Sequence, residues 1–109
     1  LVLMERAALA VYNVIKSNDL DTSEVLVICG TGIGISITAN KVPGIRAALC
    51  GDCFSAEATR QHNDANVLVM PARFISWRMV TLITARWLAT PFEGGRHQRR
   101  IDKMPAGKA

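Results

Sequence analysis

The chain has 109 residues, the length of one ordinary domain, which excludes two full domains and predicts a single domain over residues 1–109. Hydrophobic residues make up 50% and charged residues 20%, a globular composition that argues against a disordered or fibrous chain. The net charge of +4 lies in the tail, because five cations from Arg96 onward accompany a single acid, Asp102. Such a tail fits nucleic acid, an acidic surface or a small anion, and composition does not choose among them.

The first half of the chain alternates helical and strand patterns. Apolar residues at helical spacing predict an amphipathic helix over residues 3–17. A continuous run of branched apolar residues predicts a buried strand at 24–29. A helix is predicted at 35–41, closed by Pro43 and Gly44, and a second buried strand at 45–50.

The second half continues the alternation. It predicts a helix at 54–62, a third strand at 66–70, a helix marked by Trp77 and Trp87, and a basic terminal helix at about 96–104. Buried strands that alternate with helices are typical of βαβ units. We therefore predict an α/β fold: a parallel sheet with helices on both faces, in a three-layer, Rossmann-like arrangement.

The sharpest motif follows the first predicted strand and reads Cys29-Gly-Thr-Gly-Ile-Gly-Ile-Ser36. Gly30, Gly32 and Gly34 can bring backbone N–H groups close to a bound anion. Ligands of parallel sheets bind beyond the carboxyl ends of the strands, which is where this loop lies. A following helix N-terminus stabilises both an anion and a thiolate, so Cys29 is a candidate reactive residue. The alternative is a small core cysteine beside a tight turn.

Arg96 and Arg100 lie four residues apart and so share one face of the predicted terminal helix. Two guanidinium groups at that spacing can hold phosphate oxygens. A solvated basic terminus is an equal alternative. A nucleic-acid surface ranks third, because the region lacks aromatic residues for base stacking.

Metal and redox chemistry have weaker sequence support. Cys50 and Cys53 have C-x-x-C spacing, but the chain has no second such pair, and His62 and His97 lack zinc-finger spacing, so neither a metal nor a cofactor is expected. The odd number of cysteines argues against a disulfide framework. No stretch resembles a membrane span or a secretory signal, so we expect a cytoplasmic protein without a membrane partner.

Several motifs in one order resemble the ribose-5-phosphate isomerase B family, which includes the galactose-6-phosphate isomerase subunits. They are Cys29 to Ser36, Ala39-Asn-Lys-Val-Pro-Gly-Ile-Arg-Ala-Ala-Leu49, Ser55-Ala-Glu57, Arg60-Gln-His-Asn-Asp-Ala-Asn-Val-Leu68 and Phe92-Glu-Gly-Gly-Arg-His-Gln-Arg-Arg100. The resemblance implies a doubly wound α/β subunit that dimerises. It also implies interconversion of an aldose phosphate and a ketose phosphate without a metal.

The resemblance also implies roles for single residues. Cys29 matches the catalytic base, while Thr31 and His62 match residues that open the sugar ring. Gly30, Gly32, Ile33 and Gly34 match the loop that holds the enediolate, and Asn63 matches a position that contacts the sugar. Arg96 and Arg100 match the phosphate-binding arginines, and Arg73 resembles an arginine with that role in some members.

The chain also departs from the family pattern. The family opens with a strand, helix and strand of roughly 30 to 40 residues that carry an Asp-His pair, so we expect an N-terminally truncated member. Pro71 stands where the family usually has glycine or serine, and Ser76 where glycine is common.

The leading hypothesis is isomerisation of ribose 5-phosphate to ribulose 5-phosphate by cysteine-based proton transfer through an enediolate, in a homodimer or larger homo-oligomer. A catalytically silent phosphosugar-binding or partner subunit is the alternative. A nucleic-acid-binding module is third, and no nucleic-acid partner is expected. Whether the sugar has five or six carbons stays open.

Overall fold

A computed structural model describes residues 24–105, which form three strands and four helices. In chain order they are β1 (Val25–Cys29), α1 (Ile33–Ala39), β2 (Ala47–Leu49), α2 (Cys53–Asn63), β3 (Val67–Pro71), α3 (Trp77–Ala89) and α4 (Arg96–Asp102). The predicted helix at 3–17 lies outside the described residues. Each other predicted element is present, with shifted ends.

The three strands form a parallel sheet in the order β1-β3-β2. The connection from β1 to β2 passes over β3 and carries α1, and the connection from β2 back to β3 carries α2. Right-handed crossovers in opposite directions place their helices on opposite faces of a sheet. The predicted parallel sheet with helices on both faces is therefore confirmed.

The two faces of the sheet are packed unequally. On one face Ile28 and Leu68 pack with Ile83 and Trp87 of α3 in the larger core. On the other face a smaller cluster around Val69 meets α1, which has no buried residue. Helices α2 and α3 are therefore the better anchored layer. No helix within residues 24–105 has the length and hydropathy that crossing a bilayer requires.

Two of the shifted element ends have identifiable causes. Helix α1 starts at Ile33 because Gly32, at φ 77°, turns the chain in the left-handed conformation that glycine favours. Strand β2 starts only at Ala47, because the Arg46 N–H and the Gly44 carbonyl are hydrogen-bonded to the side chain of Asn66 instead of to a neighbouring strand. The Arg46 N–H donates to Asn66 Oδ1 at 2.9 Å, and Asn66 Nδ2 donates to the Gly44 carbonyl at 2.8 Å.

Asp52 caps α2, and its removal tests how much this helix start stabilises the fold. The Ser55 N–H donates to Asp52 Oδ1 at 2.7 Å, and the hydrogen bonds from Ser55 hold the pKa of Asp52 below its usual range. We expect Asp52→Ala to lower the free energy of unfolding by about 1 kcal/mol at neutral pH, with a smaller loss for Asp52→Asn, which keeps an acceptor. Denaturant unfolding measures both variants.

The stabilisation that Asp52 contributes in the wild type depends on pH, and its direction follows from the lowered pKa. Because the folded pKa of Asp52 is depressed, its ionised form stabilises the fold above the unfolded pKa of about 4, and this contribution fades as the pH falls below that value. The difference between the wild type and Asp52→Ala should therefore shrink in acid. Equal losses in the alanine and asparagine variants at neutral pH would show that the cap is not the cause.

Candidate active site

The loops that follow β1 and β3 lie side by side beyond the carboxyl ends of these two strands. Strand β1 leads into α1 on one face of the sheet, and the neighbouring β3 leads into α3 on the other face. Adjacent strands whose connections leave to opposite faces mark the usual ligand site of such sheets. Two hydrogen bonds join the loops there: the Ala72 N–H donates to the Cys29 carbonyl at 2.7 Å, and the Arg73 N–H donates to the Gly30 carbonyl at 3.0 Å.

The glycine loop is packed closely against the sheet at one position. A Cβ at Gly32 would lie 2.5 Å from Leu49 Cδ1 and 2.9 Å from Val69 Cγ1, so a larger residue here would force these side chains to shift. Thr31 Oγ1 accepts a hydrogen bond from the Ile33 N–H at 3.4 Å. Within residues 24–105, no heavy atom lies within 4 Å of a Cβ built on Gly34. The described residues therefore leave this side of the loop uncovered.

Cys29 and Arg73 lie together at this edge. Cys29 is half-buried at the end of β1, and the exposed Arg73 side chain crosses Gly30, with its Nε 3.3 Å from a Cβ built there. A thiol, a glycine loop and a guanidinium therefore lie together at this end of the sheet. Together they offer a group that can exchange a proton, backbone donors and a fixed positive charge.

The other two cysteines, which follow the carboxyl end of β2, have different surroundings. Cys50 is 1% exposed, and burial, with the nearby Asp52 charge, raises its thiol pKa to about 11. Cys50 is therefore a neutral thiol at physiological pH and belongs to the core. Cys53 is half-buried as the first residue of α2. Both are free cysteines.

The remaining candidate residues lie at the opposite edge of the sheet. Helix α2 returns antiparallel to the strands, so His62 and Asn63 at its end lie by the amino ends of β2 and β3. Arg46, next to the start of β2, fixes this corner: its Nε donates to the Asn63 carbonyl at 3.0 Å, and its Nη2 donates to the Asp64 carbonyl at 2.9 Å.

Helix α4 brings its arginines to the same corner. The Glu93 N–H donates to the Gln61 carbonyl at 3.2 Å, which joins the segment before α4 to α2. The imidazoles of His62 and His97 stack with ring centroids 4.4 Å apart. Arg96 and Arg100 are exposed beside them.

His97 is a member of this corner that the sequence prediction omitted. It is 6% exposed, and its pKa is lowered first by burial and then by electrostatic repulsion from His62 and Arg96, against the opposing effect of Glu93. Only its position beside the predicted Arg96 and its four-residue spacing from Glu93 could have drawn attention to it.

The predicted residues thus form two groups in one chain. Cys29, Thr31, the glycine loop with Ile33, and Arg73 lie at the carboxyl edge, whereas His62, Asn63, Arg96 and Arg100 lie at the amino edge. A five-residue strand such as β1 separates the two edges by roughly 15 Å. That distance exceeds the reach of one hydrogen-bonded contact.

Comparison with known proteins relates the chain and its fold to one family. The profile of the family described as ribose/galactose isomerase matches residues 4–104. Ribose-5-phosphate isomerase B of Escherichia coli is 48% identical over 81 residues, which are 74% of this chain and 54% of that protein. Ribose-5-P isomerase B of Listeria innocua is 44% identical over 102 residues, 94% of this chain and 65% of that protein.

A solved structure agrees with these sequence relatives. The crystal structure of ribose-5-phosphate isomerase B from Mycoplasma genitalium with bound ribulose-5-phosphate superposes with a TM-score of 0.73 at 41% identity, and covers 92% of this chain and 66% of that one. The chain spans between half and two thirds of the length of the two curated relatives, at 54% and 65%. It belongs to the ribose/galactose isomerase family.

Proposed function

We propose that the protein interconverts an aldose phosphate and a ketose phosphate, with ribose 5-phosphate and ribulose 5-phosphate as the pair. The observation that carries the proposal is the half-buried Cys29 beside the glycine loop, at the carboxyl end of β1 and next to β3. Relatives named ribose-5-phosphate isomerase B support the substrate class. The protein acts as a single domain over residues 1–109 in the cytoplasm.

In the proposed reaction His62 first assists opening of the sugar ring, together with Thr31. Cys29 as thiolate then takes the proton from C2 of the open aldose, and the backbone N–H groups of the glycine loop stabilise the enediolate. A proton passes from the oxygen on C2 to the oxygen on C1, and the Cys29 thiol returns its proton to C1. The number of bound atoms and electrons is unchanged, as isomerisation requires.

Phosphate recognition falls to the arginines in this proposal. Arg96 and Arg100 hold the phosphate oxygens, because they are exposed neighbours on one turn of α4. Arg73 adds positive charge at the Cys29 edge, and Asn63 contacts the sugar. Binding of the unreactive phosphate orients the carbon atoms at which the proton moves.

The proposal includes a homodimer, because the candidate residues of one chain are divided between the carboxyl and amino edges of the sheet. Within one chain Cys29 and His62 lie at opposite edges of the sheet, so one sugar cannot touch both. A two-fold axis repeats the same surface on both subunits, and it can bring the carboxyl edge of one copy to the amino edge of the other. Each dimer then contains two equal sites, each built from both copies.

The alternative is a phosphosugar-binding or partner subunit without turnover. It is favoured by the same separation, because Arg96 and Arg100 can bind a phosphate at the amino edge while Cys29 takes no part. Such a protein would bind ribose 5-phosphate and leave it unchanged.

A direct assay in deuterated water separates these functions. We expect the protein to convert ribose 5-phosphate into ribulose 5-phosphate and to introduce deuterium at C1, because the proton carried by Cys29 exchanges with solvent. Proton NMR follows both events, with galactose 6-phosphate as the six-carbon comparison. Binding without conversion would favour the silent subunit, and absence of both would refute the proposed substrate class.

A further inference from the structure

Three potential metal ligands converge where α2 ends and α4 begins. His97 Nε2 lies 3.4 Å from Glu93 Oε1, and His62 Nε2 lies 3.9 Å from the same oxygen. One ligand atom from each of the three residues lies within 4.8 Å of the others. None of these contacts is required by the chemistry proposed for the sugar.

These separations are close to those of a zinc site. Zinc binds imidazole nitrogen and carboxylate oxygen at about 2.0–2.1 Å in a tetrahedron, which places ligand atoms about 3.3 Å apart. The pair formed by His97 and Glu93, at 3.4 Å, already has that spacing. The other separations must close by about 1.5 Å or less, which requires the exposed His62 and Glu93 side chains to rotate.

The exposure of two of the three side chains leaves room for that adjustment. The His97 side chain is 7% exposed and therefore held by its surroundings, while His62 is 47% and Glu93 50% exposed. His62 has to turn out of its stacked position, in which the two rings lie at 19° to each other, so that its nitrogen points to the ion. One fixed ligand with two adjustable ones is sufficient to assemble a site.

We propose that His62, Glu93 and His97 form a binding site for a divalent transition-metal ion of the zinc class. Two imidazoles and one carboxylate leave a fourth position for water, and imidazole ligands favour zinc over magnesium or calcium. Arg96 and Arg100 lie close by and repel a dication, so the site is weaker than a structural zinc site.

The ion acts as an inhibitor, a consequence that rests on the proposed function. A bound ion occupies one ring nitrogen of His62 and fixes its imidazole, so that this side chain no longer assists opening of the sugar ring. It also pulls His62 toward Glu93 and His97. Zinc should therefore slow the isomerisation of the cyclic sugar, and a chelator should restore the rate.

The binding test compares the wild type with two matched charge variants by calorimetric titration with zinc chloride alone. Glu93→Gln removes one ligand atom, whereas Asp102→Asn removes one negative charge from α4, where Asp102 accepts from Gln98. We expect Glu93→Gln to weaken binding by about tenfold or more, since loss of outer-shell partners alone costs 10–100-fold, and Asp102→Asn to leave it nearly unchanged. All three proteins keep the same cysteines, so zinc bound by thiols cancels in the comparison.

Different results would refute the proposed metal site and the proposed function. Equal zinc binding by the wild type and Glu93→Gln, or an equal loss in Asp102→Asn, would overturn the site even if the protein is an active isomerase. Loss of binding confined to Glu93→Gln would support the site even if no sugar is converted. If the protein is active, the isomerisation rate of the wild type with zinc should be lower than its rate without zinc. For Glu93→Gln the two rates should be nearly equal.

Discussion

Replacing Cys29 by alanine is expected to abolish isomerisation while the fold remains intact. Positioned acid and base groups contribute about 10²–10⁴-fold to a rate, so the loss in kcat should reach at least that range. The fold should persist because Cys29 is half-buried at the last position of β1, and its carbonyl, not its thiol, accepts the hydrogen bond from Ala72. Conversion of ribose 5-phosphate and thermal unfolding measure the two effects.

The matched control is Cys53→Ala. Cys53 is also half-buried and lies at the same edge of the sheet, but it has no part in the proposed reaction. We expect it to retain most of the rate. A Cys29→Ala variant with full activity would remove the assignment of the base, and an equal loss in both variants would indicate a structural effect of losing a thiol.

The architecture could be predicted because the strands are short apolar runs that alternate with helical patterns. The run at Val67–Pro71 is buried at every position, and such a strand is typical of the centre of a parallel sheet. Element ends were less predictable, since they depend on contacts between distant residues. The Asn66 side chain that binds Gly44 and Arg46 is twenty or more positions away in the chain, and no local pattern indicates that contact.

The candidate site was predictable in its residue types and less so in its grouping. The Cys29 loop follows a strand, so its place at the carboxyl edge follows from the sequence of elements. His62 lies in the last turn of the helix that follows the next strand, and that helix returns to the amino edge. The resemblance names both residues as parts of one site without saying which copy supplies each. The contact of Glu93 with Gln61, which brings His97 beside His62, is a tertiary contact without a sequence signal.

Two inactive variants should restore activity when their subunits are mixed. Cys29→Ala damages the carboxyl edge, and His62→Asn damages the amino edge. If each site takes Cys29 from one copy and His62 from the other, both pure dimers are inactive. A mixed dimer then has one site with both substitutions and one with neither.

The expected recovery follows from random pairing. Equal amounts of the two variants place about half of the dimers in the mixed state, and half of the sites in those dimers are intact, so about a quarter of the wild-type rate returns. The variants are produced together, or unfolded and refolded together, so that subunits exchange, and Cys29→Ala treated alone is the control. If both residues of a site came from one chain, every site in the mixture would keep one substitution and no activity would return. The recovered rate therefore reports directly whether the roughly 15 Å between the two edges is bridged by a second copy.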